Sequence, residues 1–396
     1  MIKSFWQTQN ALTRLNLAFW RLIAGVKSDL HNLIVGFVSD LLRSTSFHKD
    51  IKNIAVKLGI VKIPQVSSLE TSFIHVEDKP VIFVSYCASA DYQGDLKFCG
   101  GTKELNYLVK LLRERGYEAY IVTYAGTYEP WLLDHQPHIS LPQFKEIISK
   151  KSNVRCVTSL AIATAFINAS PSLFFWDMEL ALTENHHFSL LSKLYRSKIK
   201  TTAAISRTIQ AWHMANFQRS CVLIPNLLDT SLWSSKPFNR KKYRIGYMNE
   251  GLHTQEYIRV ISDFTKSNGL DIEYHQISGV ESEILIEMNR CEVFLSMNIG
   301  KDALWGEGCP RTVIESLAAG CVVIAFDIIG VRETIQHNFN GILVSRYRPD
   351  LMAKELVRLY NCNNEVERLR KNSQSLIESC HTFDARWSAV QEFLIL

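Results

Sequence analysis

Between Pro80 and the C-terminus, short apolar runs alternate with longer stretches whose apolar residues recur at steps of three and four. Short, wholly apolar runs suit strands buried on both faces of a parallel sheet, and the three-to-four step marks one face of a helix. The first run, Val81-Ile82-Phe83-Val84-Ser85-Tyr86, predicts a strand. A helix over about 102–115 follows, carrying Leu105, Leu108, Val109 and Leu112, and Gly116 ends it. Further strands are predicted at 117–123, 155–159, 173–177, 201–205 and 221–224, with helical spacing between them. The polar stretch 234–242 interrupts the series. It resumes with strand 243–248, helix 255–266, strand 272–277, helix 281–289, strand 293–297, a helix near 312–319, strand 322–326 and a helix-rich tail. Strands alternating with helices imply doubly wound parallel sheets, and two such series imply two Rossmann-like domains facing a cleft.

The N-terminal segment follows another rule. Leu12, Leu15, Phe19, Leu22, Val26, Leu30, Leu33, Phe37 and Leu41 form one apolar stripe, predicting a long helix or helical pair over 5–45. Arg14, Arg21 and Lys27 lie off the stripe beside Phe19 and Trp20, so one reading is a basic amphipathic helix on an anionic membrane surface. The other is packing on the body of the protein or self-association, which is favoured because such stripes are usually core. The expected division is a helical extension over 1–75, an N-terminal Rossmann-like domain over 76–233 and a C-terminal one over 234–396, the last helix crossing back.

Composition narrows the function classes. At 396 residues, with 47% hydrophobic and 21% charged residues, the chain is globular and large enough for two cores. The net charge is +5, and residues 1–60 hold eight Lys or Arg against three Asp, so the excess sits there and no basic groove for nucleic acid remains. The nine cysteines are odd in number, scattered and never spaced Cys-x-x-Cys, which predicts reduced, mostly buried thiols and neither a disulfide frame nor a zinc site. No apolar run reaches the length of a membrane span and residues 1–10 lack signal-peptide order. The expected location is cytoplasmic, with the inner face of the membrane as the second option.

The chemistry concentrates in one string, Trp305-Gly306-Glu307-Gly308-Cys309-Pro310-Arg311-Thr312-Val313-Ile314-Glu315, which runs on through Ala319-Gly320 into Cys321-Val322-Val323-Ile324-Ala325-Phe326-Asp327. An acidic loop leads through Gly and Pro into a helix that stops at Gly320 before a buried strand. Pro310 and Thr312 fit the first helical turn, whose free N–H groups form an anion site. Glu307 and Glu315 are expected to face one cleft, spaced to hold paired sugar hydroxyls on either side of a diphosphate. Two acids at that spacing are common in any α/β protein, so the whole string carries the argument.

That string resembles the donor-binding motif of retaining GT-B glycosyltransferases, especially glycosyltransferase family four (glycosyl transferases group one). Gly330-Val331-Arg332-Glu333 and Asn340-Gly341-Ile342-Leu343-Val344 are similar to two further landmarks of that family, and Ile224-Pro225-Asn226-Leu227-Leu228-Asp229 to the segment closing its N-terminal domain. Gly100-Gly101 before a helix looks like its N-terminal glycine loop, the acceptor or phosphate loop. The likeness spans about residues 80–390. It implies that Glu307 holds hydroxyls of the transferred sugar, Glu315 the ribose, and the Gly308–Arg311 backbone (Gly308, Cys309, Pro310, Arg311) the phosphates. It also implies retention of anomeric configuration, a UDP-, GDP- or dTDP-linked sugar as co-substrate with no cofactor or metal, and a glycan or lipid-linked acceptor, as in polysaccharide biosynthesis.

Two features depart from that pattern. The family's Arg and Lys after the first strand of the second domain are missing from Ile245-Gly246-Tyr247-Met248-Asn249-Glu250-Gly251-Leu252-His253, so Arg311 and Lys301 are the candidate replacements, with Asn249 and His253 as neutral donors. Both cations read equally well as solvated loop charges. The second departure concerns the N-terminal catalytic group. Asp177 ends a predicted strand, where a doubly wound sheet presents its ligands, and reads either as an active-site polar group or as a buried, hydrogen-bonded cap. His186-His187 side by side on one helix diverge and suit no metal. The competing functional class is a GT-B-shaped binding or scaffold subunit without turnover; an epimerase or a phosphorylase on the same fold is a third, weaker reading.

Overall fold

The computed structural model describes residues 79–85, 99–158, 172–178, 185–197, 199–233, 243–249, 253–299 and 308–396, all within one compact unit. The extension over 1–75 with its apolar stripe, the interruption at 234–242, Lys301 and Glu307 lie outside the described residues.

The apolar runs become strands because each can be buried on both faces. In β1 (Val81–Ser85) every residue is buried, Ile82 and Val84 facing one apolar cluster and Val81 and Phe83 another. Beside it lie α1 (Gly100–Glu114), β2 (Ala119–Thr123), β3 (His138–Ser140), α2 (Leu141–Lys150), β4 (Val154–Thr158), β5 (Leu173–Asp177), α3 (Asn185–Ser197), β6 (Ile199–Ala204), α4 (Arg207–Phe217) and β7 (Val222–Leu223). Among the described residues these strands form a seven-stranded parallel sheet in the order β3-β2-β1-β4-β5-β6-β7.

The second half contains β8 (Arg244–Tyr247), α5 (Thr254–Ser267), β9 (Glu273–Gln276), α6 (Glu281–Arg290), β10 (Val293–Ser296), α7 (Arg311–Ala318), β11 (Val322–Phe326), α8 (Ile329–Arg332) and β12 (Ile342–Val344). Its strands form a five-stranded parallel sheet in the order β12-β11-β10-β8-β9. Helices α9 (Pro349–Tyr360), α10 (Asn363–Cys380) and α11 (Phe383–Leu394) complete the chain. The last one returns to the first sheet: Phe393 meets Phe174 edge-on at 5.9 Å, and Arg155 Nε donates to Leu394 O at 3.2 Å. One apolar cluster joins Ile82, Leu108 and Trp176 of the first half to Ile245, Val323 and Phe393.

Strand order reverses between β1 and β4 in the first sheet and between β8 and β10 in the second. Doubly wound sheets bind ligands outside the carboxyl ends of the strands at such points. Gly100-Gly101 open the helix after β1, Asn249 follows β8, and α7 is the helix after β10. The topology therefore gathers the sequence motifs at the two switch points. Among the described residues no helix is long and apolar enough to cross a membrane.

Two local expectations need correction. Helix α7 begins at Arg311, with Pro310 as its N-cap at φ −62 and ψ 119, so the extended ψ keeps Pro310 out of the first turn. Strand β3 and helix α2 follow no apolar run that announced them, although Ser140 and Gln143 cap α2 reciprocally with Pro142 in its first turn, the pattern of a helix start.

Candidate functional site

The two switch points meet. A Cβ built on Gly100 would lie 3.6 Å from Arg311 Cβ, and one on Gly101 would lie 3.5 Å from Met178 Sδ, one residue beyond β5. Helices α1 and α7 thus bring their N-termini together. Neither has a side-chain cap or an acidic residue in its first turn, so the partial positive charge of both ends is unspent by the usual acids.

Behind these ends lies a buried cluster of charges from both halves. Glu315, one turn into α7, accepts at Oε1 from Arg311 Nε at 2.7 Å and from Lys103 Nζ of α1 at 2.7 Å. Lys103 also pairs with Glu281 Oε1, at the start of α6, at 3.1 Å. The Lys103 ammonium sits over the rings of Trp233 and Trp131, at 5.0 and 5.9 Å from their centroids. Arg311 Nη1 donates to Glu104 of α1 and to Leu227 O (3.1 Å), and its guanidinium lies 4.7 Å from the Tyr107 ring centroid. Arg311 Nη2 is buried without a hydrogen-bond partner among the described residues. Tyr107 donates to Glu281 at 3.1 Å and accepts from Trp233 Nε1 at 3.0 Å, while the Leu133 N–H donates to Glu281 Oε2 at 2.7 Å.

Three carboxylates therefore face two cations in a sealed space, and the imbalance falls on Glu104. Burial pushes its carboxyl up to about 7, although Arg311 pulls the other way. Burial opposes the Glu281 charge too, but Lys103 and the Leu133 N–H hold it below the usual range. Burial likewise opposes the charge of Arg311, which Glu104 and Glu315 keep above the usual arginine value. With Glu104 partly protonated at neutral pH, the cluster approaches neutrality.

This geometry changes the reading of several residues. Arg311 is 8% exposed and locked between two glutamates, so it is no solvated loop charge. Glu315 is equally buried and already engaged by two cations. Gly308 and Pro310 are buried in the turn before α7. Cys309 there receives Asn226 Nδ2 on its carbonyl at 3.0 Å, and burial pushes its thiol up to about 12, which disfavours the thiolate. Asn249 is exposed just past β8. Lys103, Glu104 and Glu281 were not singled out by the sequence; the one signal for Lys103 and Glu104 is charge within a helix whose neighbours Leu105, Leu108 and Val109 are core, and Glu281 opens α6 with no such signal.

Asp177 occupies the end of β5 at 3% exposure. Its Oδ2 lies 2.7 Å from His213 Nε2, and His213 Nδ1 lies 2.6 Å from the Tyr195 hydroxyl. The carboxylate accepts from Nε2–H and Nδ1 faces the tyrosine hydroxyl, so both ring nitrogens are engaged and the orientation of the imidazole is held. Both alternatives for Asp177 meet here: it is buried and hydrogen-bonded, yet at the ligand edge of the sheet. A further tie between the halves is Glu333, which accepts from the Thr208 N–H at 3.2 Å in the first turn of α4.

Residues 259–376 match the family Glycosyl transferases group 1. These residues are a glycosyl transferases group 1 domain. The segment runs from α5 into α10 and includes Gly308, Arg311 and Glu315, whereas Gly100, Gly101, Asp177 and Asn249 lie before it. No curated protein matches the chain. Among solved structures it is similar to a glycosyltransferase from Rickettsia africae (16% identity, TM-score 0.59, 80% of this chain and 99% of that one). HepE from Anabaena in complex with UDP-glucose is similar at 14% identity and TM-score 0.57, covering 80% of this chain and 100% of that one. Sucrose-phosphate synthase from Thermosynechococcus elongatus follows at 13% identity and TM-score 0.54, covering 79% and 97%. At these identities the likeness establishes the fold, which is GT-B.

Proposed function

We propose that the chain is a retaining glycosyltransferase of family four, moving a hexosyl or deoxyhexosyl group from a nucleotide-sugar to a glycan or lipid-linked acceptor. The observation that carries the reading is the α7 N-terminus of the glycosyl transferases group 1 domain set against the glycine pair that opens α1. In this reading the domain over 234–396 takes the donor and the domain over 76–233 the acceptor, with 1–75 as an extension. Glu307 holds the sugar and Glu315 the ribose, while the N–H groups of Gly308, Cys309 and Arg311, on either side of Pro310, which has none to donate, hold the diphosphate with those of Gly100 and Gly101. Because HepE binds UDP-glucose, a UDP-sugar is the first donor to test, ahead of GDP- and dTDP-sugars.

The reaction asks little covalent chemistry of the protein. The C1–phosphate bond breaks, the acceptor oxygen bonds to C1 on the same face, and the departing phosphate takes the acceptor proton. Positioning and stabilisation of the leaving diphosphate are the protein's contribution. Asp177, oriented by His213, is assigned to the acceptor side.

Donor entry requires Glu315 and Arg311 to exchange partners, since both are engaged within the cluster. That engagement, together with the absence of a basic pair after β8, favours a second reading: a GT-B-shaped binder without turnover. Titration with UDP-, GDP- and dTDP-sugars, following both thermal stabilisation and nucleotide release, separates the two. A saturating ligand at about a hundred times its Kd stabilises by ~2.7 kcal/mol. Stabilisation with release supports the transferase, and stabilisation without release supports the silent binder. Neither effect with any donor overturns both.

A further inference from the structure

From Asn185 to Leu228 the sequence contains no Asp or Glu, yet it contains Lys193, Arg196, Lys198, Lys200, Arg207 and Arg219. This stretch builds α3 and α4 on one face of the first sheet. Lys193, Arg196, Lys200 and Arg207 are exposed and Arg219 half-buried. Their hydrogen bonds run to backbone where they exist: Arg196 Nε donates to Ser192 O at 3.2 Å and Arg219 Nη2 to Tyr195 O at 3.0 Å. Among the described residues none of these five has a carboxylate partner. Elsewhere, arginines such as Arg244, Arg290 and Arg358 are paired with acids.

Lys193 and Arg196 lie on α3 and Arg219 just past α4, whereas Lys200 lies on β6 and Arg207 opens α4 beside the Thr208–Glu333 tie. Around the first three, apolar side chains stand where water would be expected. Phe188 of α3 is 39% exposed and stacks on Phe217 of α4 at 4.8 Å, and Met214, three residues before Phe217, is 50% exposed. Trp212 and Tyr195, both half-buried, close the group, each in ring contact with Phe217. Arg219 lies over the Tyr195 ring at 5.0 Å from its centroid. Phe188, Ser192 and Arg196 recur at steps of four, so apolar and basic groups share one stripe.

We infer that the outer face of α3 and α4 is a docking surface for an anionic lipid bilayer. A soluble polyanion would use the cations alone. Exposed Phe188 and Met214, flanked by Trp and Tyr with amphipathic rings, match the headgroup boundary, where aromatic side chains favour the interface and cations meet lipid phosphates. The surface lies on the half assigned to the acceptor, which would set that half against a lipid-linked acceptor. The docking itself does not depend on the transferase reading.

The test uses the full chain in sedimentation with vesicles of phosphatidylcholine alone and of equal parts phosphatidylcholine and phosphatidylglycerol. Binding is expected only to the anionic vesicles. Each basic side chain at such a surface strengthens partitioning roughly fivefold, so Lys193→Glu with Arg196→Glu should weaken it by at least about 25-fold. Phe188→Ser with Met214→Ser should also weaken it. The equal charge change Lys266→Glu with Lys371→Glu, at exposed sites of the other half, should leave it nearly unchanged. Failure of the wild-type chain to bind anionic vesicles overturns the inference, as does equal loss in the two charge-reversed variants, which would indicate net charge alone. Binding that survives the Lys193 and Arg196 changes places the contact elsewhere and overturns it too. Dextran sulfate binding as tight as vesicle binding, with no effect of the Phe188 and Met214 changes, would make the face a polyanion site and also overturn it.

Discussion

Replacing Lys103 by methionine probes the cluster that joins the two halves. Lys103 is a side chain at 6% exposure whose ammonium lies 2.7 Å from Glu315 and 3.1 Å from Glu281. Methionine fills most of its volume and removes the charge, leaving three carboxylates facing Arg311 alone. Breaking a buried ion pair by deleting one partner costs ~3–5 kcal/mol, because the remaining charge stays desolvated. For domains of this size each kcal/mol shifts Tm by ~2–4 °C, so a fall of roughly 6–20 °C is expected. Urea titration gives the free energy directly, read by tryptophan fluorescence, since Trp131 and Trp233 flank the ammonium. The same change at exposed Lys371 should alter stability by less than ~0.5 kcal/mol. Adding Glu281→Gln to Lys103→Met should restore part of the loss, because it removes one of the orphaned charges; the coupling expected for contacting residues is ~0.5–3 kcal/mol. A loss below ~1 kcal/mol, with no coupling to Glu281, would show that water reaches these charges and refute the sealed cluster.

Two further outcomes rest on the same packing. Burial pushes the Glu104 carboxyl from 4.5 up to about 7. The folded state thus binds its proton more tightly than the unfolded chain, and the associated stability is present below 4.5 and lost as pH rises towards 7. Relative to Glu104→Gln, the wild-type urea midpoint should fall across that window; parallel curves would refute the assignment. Gly246 in β8 has no room for a side chain, since a Cβ would lie 2.7 Å from Ile277 Cδ1 and 2.9 Å from Cys291 Sγ. Gly246→Ala should cost ~1–3 kcal/mol by overpacking, and unchanged stability would show that this sheet yields freely.

The fold was largely legible because its determinants are local. Val81–Ser85 and Val322–Phe326 are apolar runs that can only be buried on both faces, and Gly116 and Gly320, at φ +77 and +84, mark the ends of the helices before them. The short β3 offered three residues and no run, so only the Ser140–Gln143 cap could have announced α2. The candidate site was legible in part. The string from Gly308 to Glu315 and the pair Gly100-Gly101 stood out in sequence, and the sheet topology carries them to facing switch points. What they touch was not legible. Lys103 meets Glu315 across 212 positions and Arg311 meets Glu104 across 207, and no local pattern encodes partners so far apart. Arg311 read in sequence either as a cation for the diphosphate or as a solvated loop charge, and folding turns it inward between two glutamates. Likewise His213 carried no signal, because the strand–helix crossover that brings it to Asp177 is a property of the whole sheet.

The central claim rests on whether the chain turns over a nucleotide-sugar through the acidic string before β11. The most direct measurement is nucleotide release from UDP-glucose, or from whichever GDP- or dTDP-sugar stabilises the protein, by wild-type chain and by Glu307→Ala with unchanged Tm. The account predicts release by the wild type and a fall of roughly 100-fold or more in the variant, the scale of losing one group that acts in the transition state. Equal release by both proteins, or none by a wild-type chain that binds the donor, would contradict it.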